Sequence, residues 1–294
     1  MFRRRVFKLR LPSRTLALGE RTLVMGVLNV TPDSFSDGGK HFDAAAAVAR
    51  ALEIERAGAD ILDIGGESTR PGSEGVSSGE ELRRVVPVLE KLRGKLTIPI
   101  SVDTSKAEVA EAATYQGAEI LNDVTALRAD PRLAEVARRC KMALILVHMR
   151  GEPRTMQKKP FARDVVRDVI SGLRRAAANA RRAGVARSQI VLDPGIGFGK
   201  SAAQNFELLE KLPELARLGF PLLVGSSRKA FIGKALGGAP EADRGWGTAA
   251  TVAASIFGGA HIVRVHDVAE MAQVARVADA VVNAKLRPAG PPTP

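Results

Sequence analysis

The sequence predicts an α/β fold, a single (β/α)8 TIM barrel, and two observations lead to this prediction. Short apolar segments alternate with longer, alanine-rich amphipathic segments along the chain. Strands that alternate with helices indicate a parallel sheet, and eight strand–helix units are the number that closes a barrel. The length of 294 residues suits an α/β barrel built as one unit. An open, doubly wound parallel sheet has the same alternation and is the alternative.

The predicted strands are short segments rich in Val, Ile and Leu, as is typical of strands buried on both faces. Few aromatic residues are available for the core, since Phe, Trp and Tyr make up 4% of the chain. We place the eight strands, in order, at Thr22–Leu28, Ile61–Ile64, Ile98–Val102, Ile120–Leu121, Ala143–Val147, Ile190–Leu192, Leu222–Val224 and Ile262–Val265.

The amphipathic segments between these strands predict helices. They lie at Asp43–Ala57, Gly79–Arg93, Ser105–Gln116, Pro131–Arg139, Asp164–Ala183, Ala203–Ala216, Lys229–Leu236, Thr248–Gly258 and Val268–Ala284. No change of composition divides the chain, so we expect one barrel domain over residues 1–286. The segment 287–294 is rich in Pro and Gly and predicts a disordered tail.

The chain is basic, with a formal net charge of +12 and a pI of about 10.3. Such a charge raises the question of a nucleic-acid partner. The arginines are scattered over predicted helices, and no aromatic residues are interleaved with them. We therefore expect a solvated basic surface that attracts an anionic substrate, and no nucleic-acid partner. A non-catalytic, nucleic-acid-binding barrel remains the alternative that uses the charge.

The chain has no sequence signal for a membrane or for secretion. No apolar segment approaches the ~20 residues that span a bilayer. The basic start, Met1–Arg10, is not followed by the apolar core of a signal peptide. The lone Cys140 excludes an intramolecular disulfide and a multi-cysteine metal site. These observations predict a cytoplasmic protein without a membrane partner.

Polar residues follow every predicted strand. In a barrel, the carboxyl ends of the strands form one rim, where active sites lie. Any one of these residues is explained as a helix cap, but polar side chains at all eight positions favour a site. The rim residues include Asn29, Asp63, Asp103, Asn122, His148, Asp193, Lys229 and Arg264.

The glycine-rich segment Gly195–Gly199, after the sixth strand, resembles phosphate-binding motifs only in part. A P-loop ending at Gly199-Lys200-Ser201 requires glycine at position 194, which is Pro194. The glycine spacing also misses the dinucleotide fingerprint. The segment instead predicts a turn that lets the backbone approach a flat ring.

The rim residues divide into two chemical groups. Asp103, Asn122 and Asp193 supply acceptors that match adjacent N–H donors on the edge of a heterocycle. Lys229, Arg264 and His266 are cationic, or become so, and suit a phosphate or another anion. This combination predicts a ligand with a heterocycle at one end and an anionic group at the other.

Along nearly its whole length, from about Met25 to Val268, the sequence resembles the bacterial dihydropteroate synthases. Met25–Gly39 resembles the first long signature of that family, and Asp63–Gly72 resembles the second. Shorter motifs follow in the order of the family, at Val102–Thr104, Asn122–Asp123, Leu192–Gly195, Ser227–Lys229 and Arg264–Asp267.

The resemblance implies condensation of 6-hydroxymethyl-7,8-dihydropterin diphosphate with para-aminobenzoate, which gives 7,8-dihydropteroate and diphosphate in folate biosynthesis. It implies catalytic roles for Asp103, Lys229, Arg264 and His266. It also implies a site for the pterin diphosphate formed by Thr69, Asp103, Asn122, Met149, Asp193, Phe198, Gly225, Lys229, Arg264 and His266.

By the same resemblance, para-aminobenzoate lies between Phe35, Arg70, Pro71 and Lys229, and Asn29 binds a Mg²⁺ ion that bridges to the diphosphate. The loops Thr31–Gly39 and His148–Lys159 are expected to close over the reactants. The family also implies a homodimer that pairs through the late helices.

The sequence departs from the family pattern at Ala230, where a serine often follows the Ser-Arg-Lys triplet. A hydroxyl donor to the benzoate carboxylate is therefore missing. The alternative within pterin-binding barrels is a methyltetrahydrofolate–corrinoid methyltransferase, which shares Asp103, Asn122 and Asp193. That enzyme has no use for a diphosphate site, so Asn29, Arg264 and His266 argue against it.

Overall fold

A computed structural model describes residues 4–31, 43–68, 73, 75–151, 156 and 163–284 of the chain. Its main sheet consists of eight parallel strands. They are β3 (Leu23–Asn29), β4 (Ile61–Gly65), β5 (Ile100–Asp103), β6 (Ala118–Asp123), β7 (Ala143–Val147), β8 (Ile190–Asp193), β9 (Leu223–Val224) and β10 (Ile262–Val265).

The sheet closes into a barrel. The strands neighbour one another in the order β8-β7-β6-β5-β4-β3-β10-β9. A parallel bridge between Leu192 and Leu222 joins the two outer strands, and the Leu192 N–H donates to the Pro221 carbonyl at 3.0 Å. The predicted (β/α)8 barrel is confirmed, and the open doubly wound sheet is wrong.

Helices cover the outside of the barrel. They are α1 (Ala44–Arg56), α2 (Ser78–Leu92), α3 (Ala107–Tyr115), α4 (Arg132–Arg139), α5 (Val165–Arg182), α6 (Ala202–Glu210), α7 (Leu212–Ala216), α8 (Ala230–Ala235), α9 (Gly245–Phe257) and α10 (Val268–Ala284). The helices α1, α2, α5 and α6 begin at a side-chain cap; the Ser201 hydroxyl, for example, accepts from the Gln204 N–H at 3.2 Å. No helix in the described ranges is long and apolar enough to cross a bilayer.

Two predicted elements differ from the structure because of proline. The helix predicted at Ala203–Ala216 is divided at Lys211 into α6 and α7. Pro213 has no N–H to continue the helical ladder there. The strand predicted from Ile98 begins at Ile100, because Pro99 has no N–H to donate to a neighbouring strand.

An antiparallel hairpin that the sequence did not predict precedes the barrel. It consists of β1 (Phe7–Arg10) and β2 (Thr15–Leu18). Leu9 and Leu18 are buried in the apolar cluster inside the barrel. The Ser13 N–H donates to the Glu119 carboxylate at 2.9 Å, near the start of β6. The hairpin therefore closes the amino-terminal end of the barrel and leaves the opposite rim open.

A buried ion pair fixes the start of the chain beside this hairpin. The Arg4 guanidinium pairs with Asp279 on α10 and donates to the Thr22 hydroxyl at 2.5 Å. The Asp279 carboxylate also accepts from the Thr22 N–H at 2.6 Å. The last helix is thus joined to the first strand of the barrel and to the residues that precede the hairpin.

Candidate active site

The barrel brings the predicted rim residues together at the carboxyl ends of its strands. Asn29, Asp103 and Asp193 are the last residues of β3, β5 and β8. A cavity of about 910 Å³ lies at this rim. Among the described residues, six of the predicted site residues line this cavity: Asn29, Asp103, Phe198, Lys229, Arg264 and His266.

A second cavity, of about 740 Å³, adjoins the first and shares Asp103 with it. Met149 lines this second cavity. Asn122 and Asp193 line neither cavity, since only 2% and 5% of their surfaces are exposed. They lie in the floor of the rim, on β6 and β8.

Arg264 joins two carboxylates in this floor. Its Nε donates to Asp63 Oδ2 at 2.6 Å, and its Nη2 donates to Asp103 Oδ2 at 2.9 Å. Burial raises the pKa of Asp103, while the positive charge of Arg264 opposes the rise. Arg264 donates one of these hydrogen bonds to each carboxylate, so other carboxylate oxygens of Asp63 and Asp103 remain able to accept a hydrogen bond. Sequence reasoning placed Asp63 at the rim but gave it no role.

The buried amide of Asn122 is only half satisfied. Its Nδ2 donates to Asp63 Oδ2 at 3.1 Å. Its Oδ1 has no hydrogen-bond partner among the described residues. A buried acceptor without a donor is costly, so this atom is suited to a donor that a ligand supplies.

Asp193 is held by the turn that follows β8. Its Oδ1 accepts from the Gly195 N–H at 2.6 Å. Burial raises the pKa of Asp193 to about 6, against this hydrogen bond and the charges of Lys229 and Lys200. Asp193 is therefore mostly ionised at pH 7 and presents a buried acceptor to the rim.

Lys229 lies over the ring of Phe198, with 3.9 Å between its Nζ and the ring centroid. Gly197 permits this arrangement, because a Cβ there would lie 2.7 Å from Lys229 Cδ. Burial lowers the pKa of Lys229 to about 8, so the amine is a cation at neutral pH that is close to titrating. The turn after β8 thus carries an aromatic side chain with a cation stacked on it.

Gly225 lies in the loop after β9, beside Arg264. A Cβ on Gly225 would contact Arg264 Cβ at 3.6 Å. This is an ordinary van der Waals distance, so Gly225 packs directly beside the Arg264 side chain on the adjacent strand β10.

His266 is neutral in this structure at pH 7. Burial, together with the charges of Arg264 and Arg228, lowers its pKa to about 4. Its Nδ1 lies 3.0 Å from the hydroxyl of Ser227, which fixes the ring. His266 thus becomes a cation only when an anion binds beside it. Sequence reasoning gave Ser227 no role, because a hydroxyl within a short motif carries no signal for a contact with a distant histidine.

An ion pair between Arg228 and Asp267 joins the loops that carry Lys229 and His266. Arg228 Nε donates to Asp267 Oδ2 at 2.9 Å. The Arg228 backbone adopts a φ of 58°, and its N–H donates to the Thr248 hydroxyl at 3.0 Å. Non-glycine residues hold such a φ only where the surroundings impose it, commonly at functional loops.

Asn29 is the predicted Mg²⁺ ligand. A Cβ on Gly65 would lie 3.9 Å from Asn29 Oδ1 and 3.8 Å from Asp103 Oδ2, so the two side chains flank this glycine. The described residues contain no cluster of three or more His, Cys, Asp or Glu side chains that could hold a metal. One amide oxygen suits Mg²⁺ only if a substrate and water supply the other ligands, which is a common arrangement for this ion.

Several predicted residues lie outside the described ranges: Thr69 of the diphosphate site, and Phe35, Arg70 and Pro71 of the benzoate site. Most of the predicted loops Thr31–Gly39 and His148–Lys159 lie outside them as well. Of the benzoate site, the structure describes Lys229 and its neighbour Ala230, the first residue of α8.

Comparison with known proteins gives consistent results. Residues 25–266 match the model of a family described as pterin binding enzyme. A dihydropteroate synthase from Synechocystis is 51% identical over 263 residues, which cover 90% of this chain and 91% of that protein.

Two solved structures support the same relationship. Dihydropteroate synthase from Xanthomonas albilineans, with 4-aminobenzoic acid, has a TM-score of 0.88 and 43% identity over 97% of this chain and 100% of that chain. The Burkholderia cenocepacia enzyme, complexed with 7,8-dihydropteroate, has a TM-score of 0.86 and 41% identity over 96% of this chain and 100% of that chain. The chain therefore belongs to the pterin-binding enzymes, within the family of dihydropteroate synthases.

Proposed function

We propose that this protein is a dihydropteroate synthase of folate biosynthesis, which condenses 6-hydroxymethyl-7,8-dihydropterin diphosphate with para-aminobenzoate. The observation that carries the proposal is that one rim holds both buried acceptors and cations. The ligands of the Xanthomonas and Burkholderia proteins, 4-aminobenzoic acid and 7,8-dihydropteroate, correspond to one substrate and the product.

The acceptors of the floor bind the pterin ring. Asp193 and Asn122 Oδ1 offer buried oxygens to the N–H groups on the ring edge, and a charged acceptor makes the stronger bond. Met149, Phe198 and Gly225 form the apolar and backbone walls beside them. Asp193 and Asn122 are almost fully buried in this conformation, so the ring reaches them only after a rearrangement at the rim.

The cations bind the diphosphate. Arg264 and His266 line the same cavity as Asn29. Thr69, which follows β4 in the sequence, is proposed as a further contact of the diphosphate. An arriving diphosphate competes for Arg264 with Asp63 and Asp103 and raises the pKa of His266. Asn29 would hold a Mg²⁺ ion against the diphosphate; the ion would neutralise charge on the leaving group.

The chemistry is displacement at the methylene carbon of the pterin. The bond from this carbon to the diphosphate oxygen breaks, and diphosphate leaves with the electron pair. The resulting cation is delocalised into the dihydropterin ring. Burial raises the pKa of Asp103 to about 8, so Asp103, once it has lost its proton, stabilises the cation. The neutral amine of para-aminobenzoate then attacks the carbon and loses a proton. The amine is neutral at pH 7, so the protein acts by positioning and electrostatics without a strong base.

Para-aminobenzoate is placed beside Lys229, with Phe35, Arg70 and Pro71 as its other contacts. In the sequence, Phe35 follows β3, Arg70 and Pro71 follow β4, and Lys229 directly precedes α8. Closure of the loops excludes water, whose attack on the cation would waste the substrate. Because Ala230 has no hydroxyl to donate, we assign the benzoate carboxylate to the cations Lys229 and Arg70.

A coupled assay for diphosphate release tests this function. With the pterin diphosphate, para-aminobenzoate and Mg²⁺ present, we expect stoichiometric diphosphate and 7,8-dihydropteroate, and little of either when one substrate is omitted. Product formation without diphosphate release, or binding of methyltetrahydrofolate in place of the pterin diphosphate, would favour the methyltransferase alternative. A salt-sensitive affinity for random DNA would favour the nucleic-acid-binding barrel.

The Mg²⁺ assignment has its own test. Because Asn29 is the one protein ligand proposed, the free protein should bind Mg²⁺ weakly, and diphosphate should strengthen binding. Calorimetric titrations of Mg²⁺ with and without diphosphate measure the difference. Tight binding to the free protein would contradict a metal that arrives with the substrate.

We also propose that the protein is a cytoplasmic homodimer that pairs through its late helices. Trp246 on α9 and Val277 and Val281 on α10 are exposed apolar side chains, which fits a covered face. Sedimentation velocity tests the dimer, and a monomer at micromolar concentration would contradict it. Cell fractionation tests the location.

A further inference from the structure

Lys200 is a buried cation without an acidic partner at ion-pair distance in the described part of the chain. Only 2% of its surface is exposed. Its ammonium donates to three backbone carbonyls: His148 at 3.1 Å, Gly195 at 2.8 Å and Phe198 at 3.0 Å. An ammonium has three N–H donors, and all three are used here.

The three carbonyls belong to two different rim loops. His148 directly follows β7, whereas Gly195 and Phe198 follow β8. The loops touch at this point, since a Cβ on Gly195 would lie 1.9 Å from the His148 oxygen. The next residue of the first loop is Met149, and Phe198 is in the second, so Lys200 joins two walls of the pterin site.

The same contacts place Lys200 beneath Asp193. The Gly195 residue whose carbonyl accepts from Lys200 donates its N–H to Asp193 Oδ1 at 2.6 Å. The His148 N–H donates to the Asp193 carbonyl at 2.9 Å. Burial lowers the pKa of Lys200 to about 7, and the charge of Asp193 opposes this effect.

Other charged groups surround this pair. Arg264 acts on Asp193 from β10, Lys229 acts on both groups from the start of α8, and Asp168 acts on Lys200 from α5. Arg150, in the loop after β7, also acts on Lys200, and His148 is held neutral because burial lowers its pKa to about 3. Asp63 and Asp103 are paired with Arg264. Lys200 is the cation among these whose hydrogen bonds all go to the two loops.

We propose that Lys200 is a positioning residue that keeps Asp193 ionised and in place beneath the pterin, so that pterin affinity depends on an ammonium whose donors are all taken by the loops. The inference rests on the proposed function for its ligand. It adds a dependence on pH. Only ionised Asp193 accepts two N–H donors, so affinity falls as the pH drops through the pKa of Asp193. Removal of the Lys200 charge raises that pKa and moves the loss of affinity to higher pH.

Lys200→Met, Lys200→Gln and Lys200→Arg separate the charge of the side chain from its contacts. The dissociation constant of 6-hydroxymethylpterin is measured from pH 5 to pH 8 for each. We expect the acid midpoint to move up by about one pH unit in the Met and Gln variants, so that affinity is about twofold weaker at pH 7 and about tenfold weaker at pH 5. Arg keeps the charge, but its planar donors do not match three carbonyls around one atom. It should therefore weaken binding at every pH without moving the midpoint.

Lys91→Met is the matched control, because Lys91 is exposed on α2, and it should behave as the unmodified protein does. If all three Lys200 variants weakened pterin binding equally at every pH, Lys200 would act only by holding the two loops together, and the proposal would be overturned. Unchanged affinity in Lys200→Met would overturn it outright.

A second measurement follows the titration of Lys200 itself in the ligand-free protein. It leaves Lys200 in place and requires no pterin binding. Lysine labelled with ¹⁵N at Nζ reports the titration of Lys200 by NMR, and the Lys200→Arg spectrum identifies its signal. Coupling is reciprocal, so Asp193→Asn should move the Lys200 titration to lower pH. An unchanged titration would overturn the proposal. Failure of the unmodified protein to bind pterin would count against the proposed function, and would leave this coupling to be judged by NMR.

Discussion

At the scale of single residues, the site depends on ionisable groups whose burial leaves them near a change of charge. Asp193 and Lys229 both titrate within about two pH units of neutrality, because burial opposes their charges and neighbours of opposite charge restore them. His266 is neutral although it lies in the proposed diphosphate site. Such groups respond strongly to a charged ligand, and the response is measurable.

Diphosphate binding should take up protons through His266. In the free protein its pKa is about 4, so it is neutral at pH 6. A multiply charged anion beside it raises this pKa, and the histidine binds a proton between the old value and the new one. Calorimetry of diphosphate with Mg²⁺ at pH 6, in buffers of different ionisation enthalpy, measures the uptake. The diphosphate itself loses protons when it binds Mg²⁺, so His266 is measured by the difference between the unmodified protein and His266→Gln. We expect more protons to be taken up, or fewer released, by the unmodified protein; equal proton exchange in both would contradict the role of His266.

At the scale of elements, tight turns and loop pairs place the side chains. The turn after β8 uses Gly195 and Gly197 at positive φ, where each approaches a neighbour that a Cβ would strike. The loops after β9 and β10 are joined by Arg228 and Asp267. Long side chains such as Lys229 are thereby aimed across the rim by backbone that has little freedom to move.

Gly197→Ala should damage pterin binding as well as stability. The residue has a φ of +85°, and its new Cβ would lie 2.7 Å from Lys229 Cδ. Gly237→Ala is the matched control, since Gly237 has a φ of +71° with no atom within 4 Å of a Cβ. Both variants should lose about 1–2 kcal/mol of unfolding free energy through backbone strain. Only Gly197→Ala should weaken pterin binding. An equal loss of pterin affinity in Gly237→Ala would show that backbone strain alone, and not the contact with Lys229, is responsible.

The sequence was sufficient to predict the barrel and its rim, because both depend on local patterns. Alternating apolar segments identified all eight strands, and the residue after each strand lies on the rim by the geometry of the fold. The pairing of Arg264 with Asp63 and Asp103, and that of His266 with Ser227, joins residues far apart in the chain. No spacing reveals such pairs. The hairpin Phe7–Leu18 was missed because its strands are only four residues long and half-exposed.

At the scale of the whole molecule, the amino-terminal end of the barrel contributes stability, and the carboxyl end carries the site. The amino-terminal end is sealed by the hairpin and by the buried pair of Arg4 with Asp279. The carboxyl end carries the polar residues and the two cavities. Stability and chemistry are therefore open to separate tests.

Asp279→Ala should destabilise the protein by about 3–5 kcal/mol, because it leaves the Arg4 guanidinium buried without its partner. Glu111→Ala, which removes an exposed pair with Arg139, is the control and should leave the free energy of unfolding nearly unchanged. Urea unfolding measures both free energies. Below its melting transition, Asp279→Ala should keep its affinity for the pterin. Equal losses of stability in the two variants would contradict the proposed anchor.

The central claim is that one rim recognises the pterin with its floor and the diphosphate with its cations. Calorimetric titration of 6-hydroxymethylpterin and of diphosphate with Mg²⁺ into Asp193→Asn and His266→Ala tests it at pH 7. We predict that Asp193→Asn weakens pterin binding by about 2–4 kcal/mol and spares diphosphate. His266→Ala should weaken diphosphate binding by about 1–3 kcal/mol and spare the pterin. Equal effects of each variant on both ligands, or no effect on either, would contradict the account.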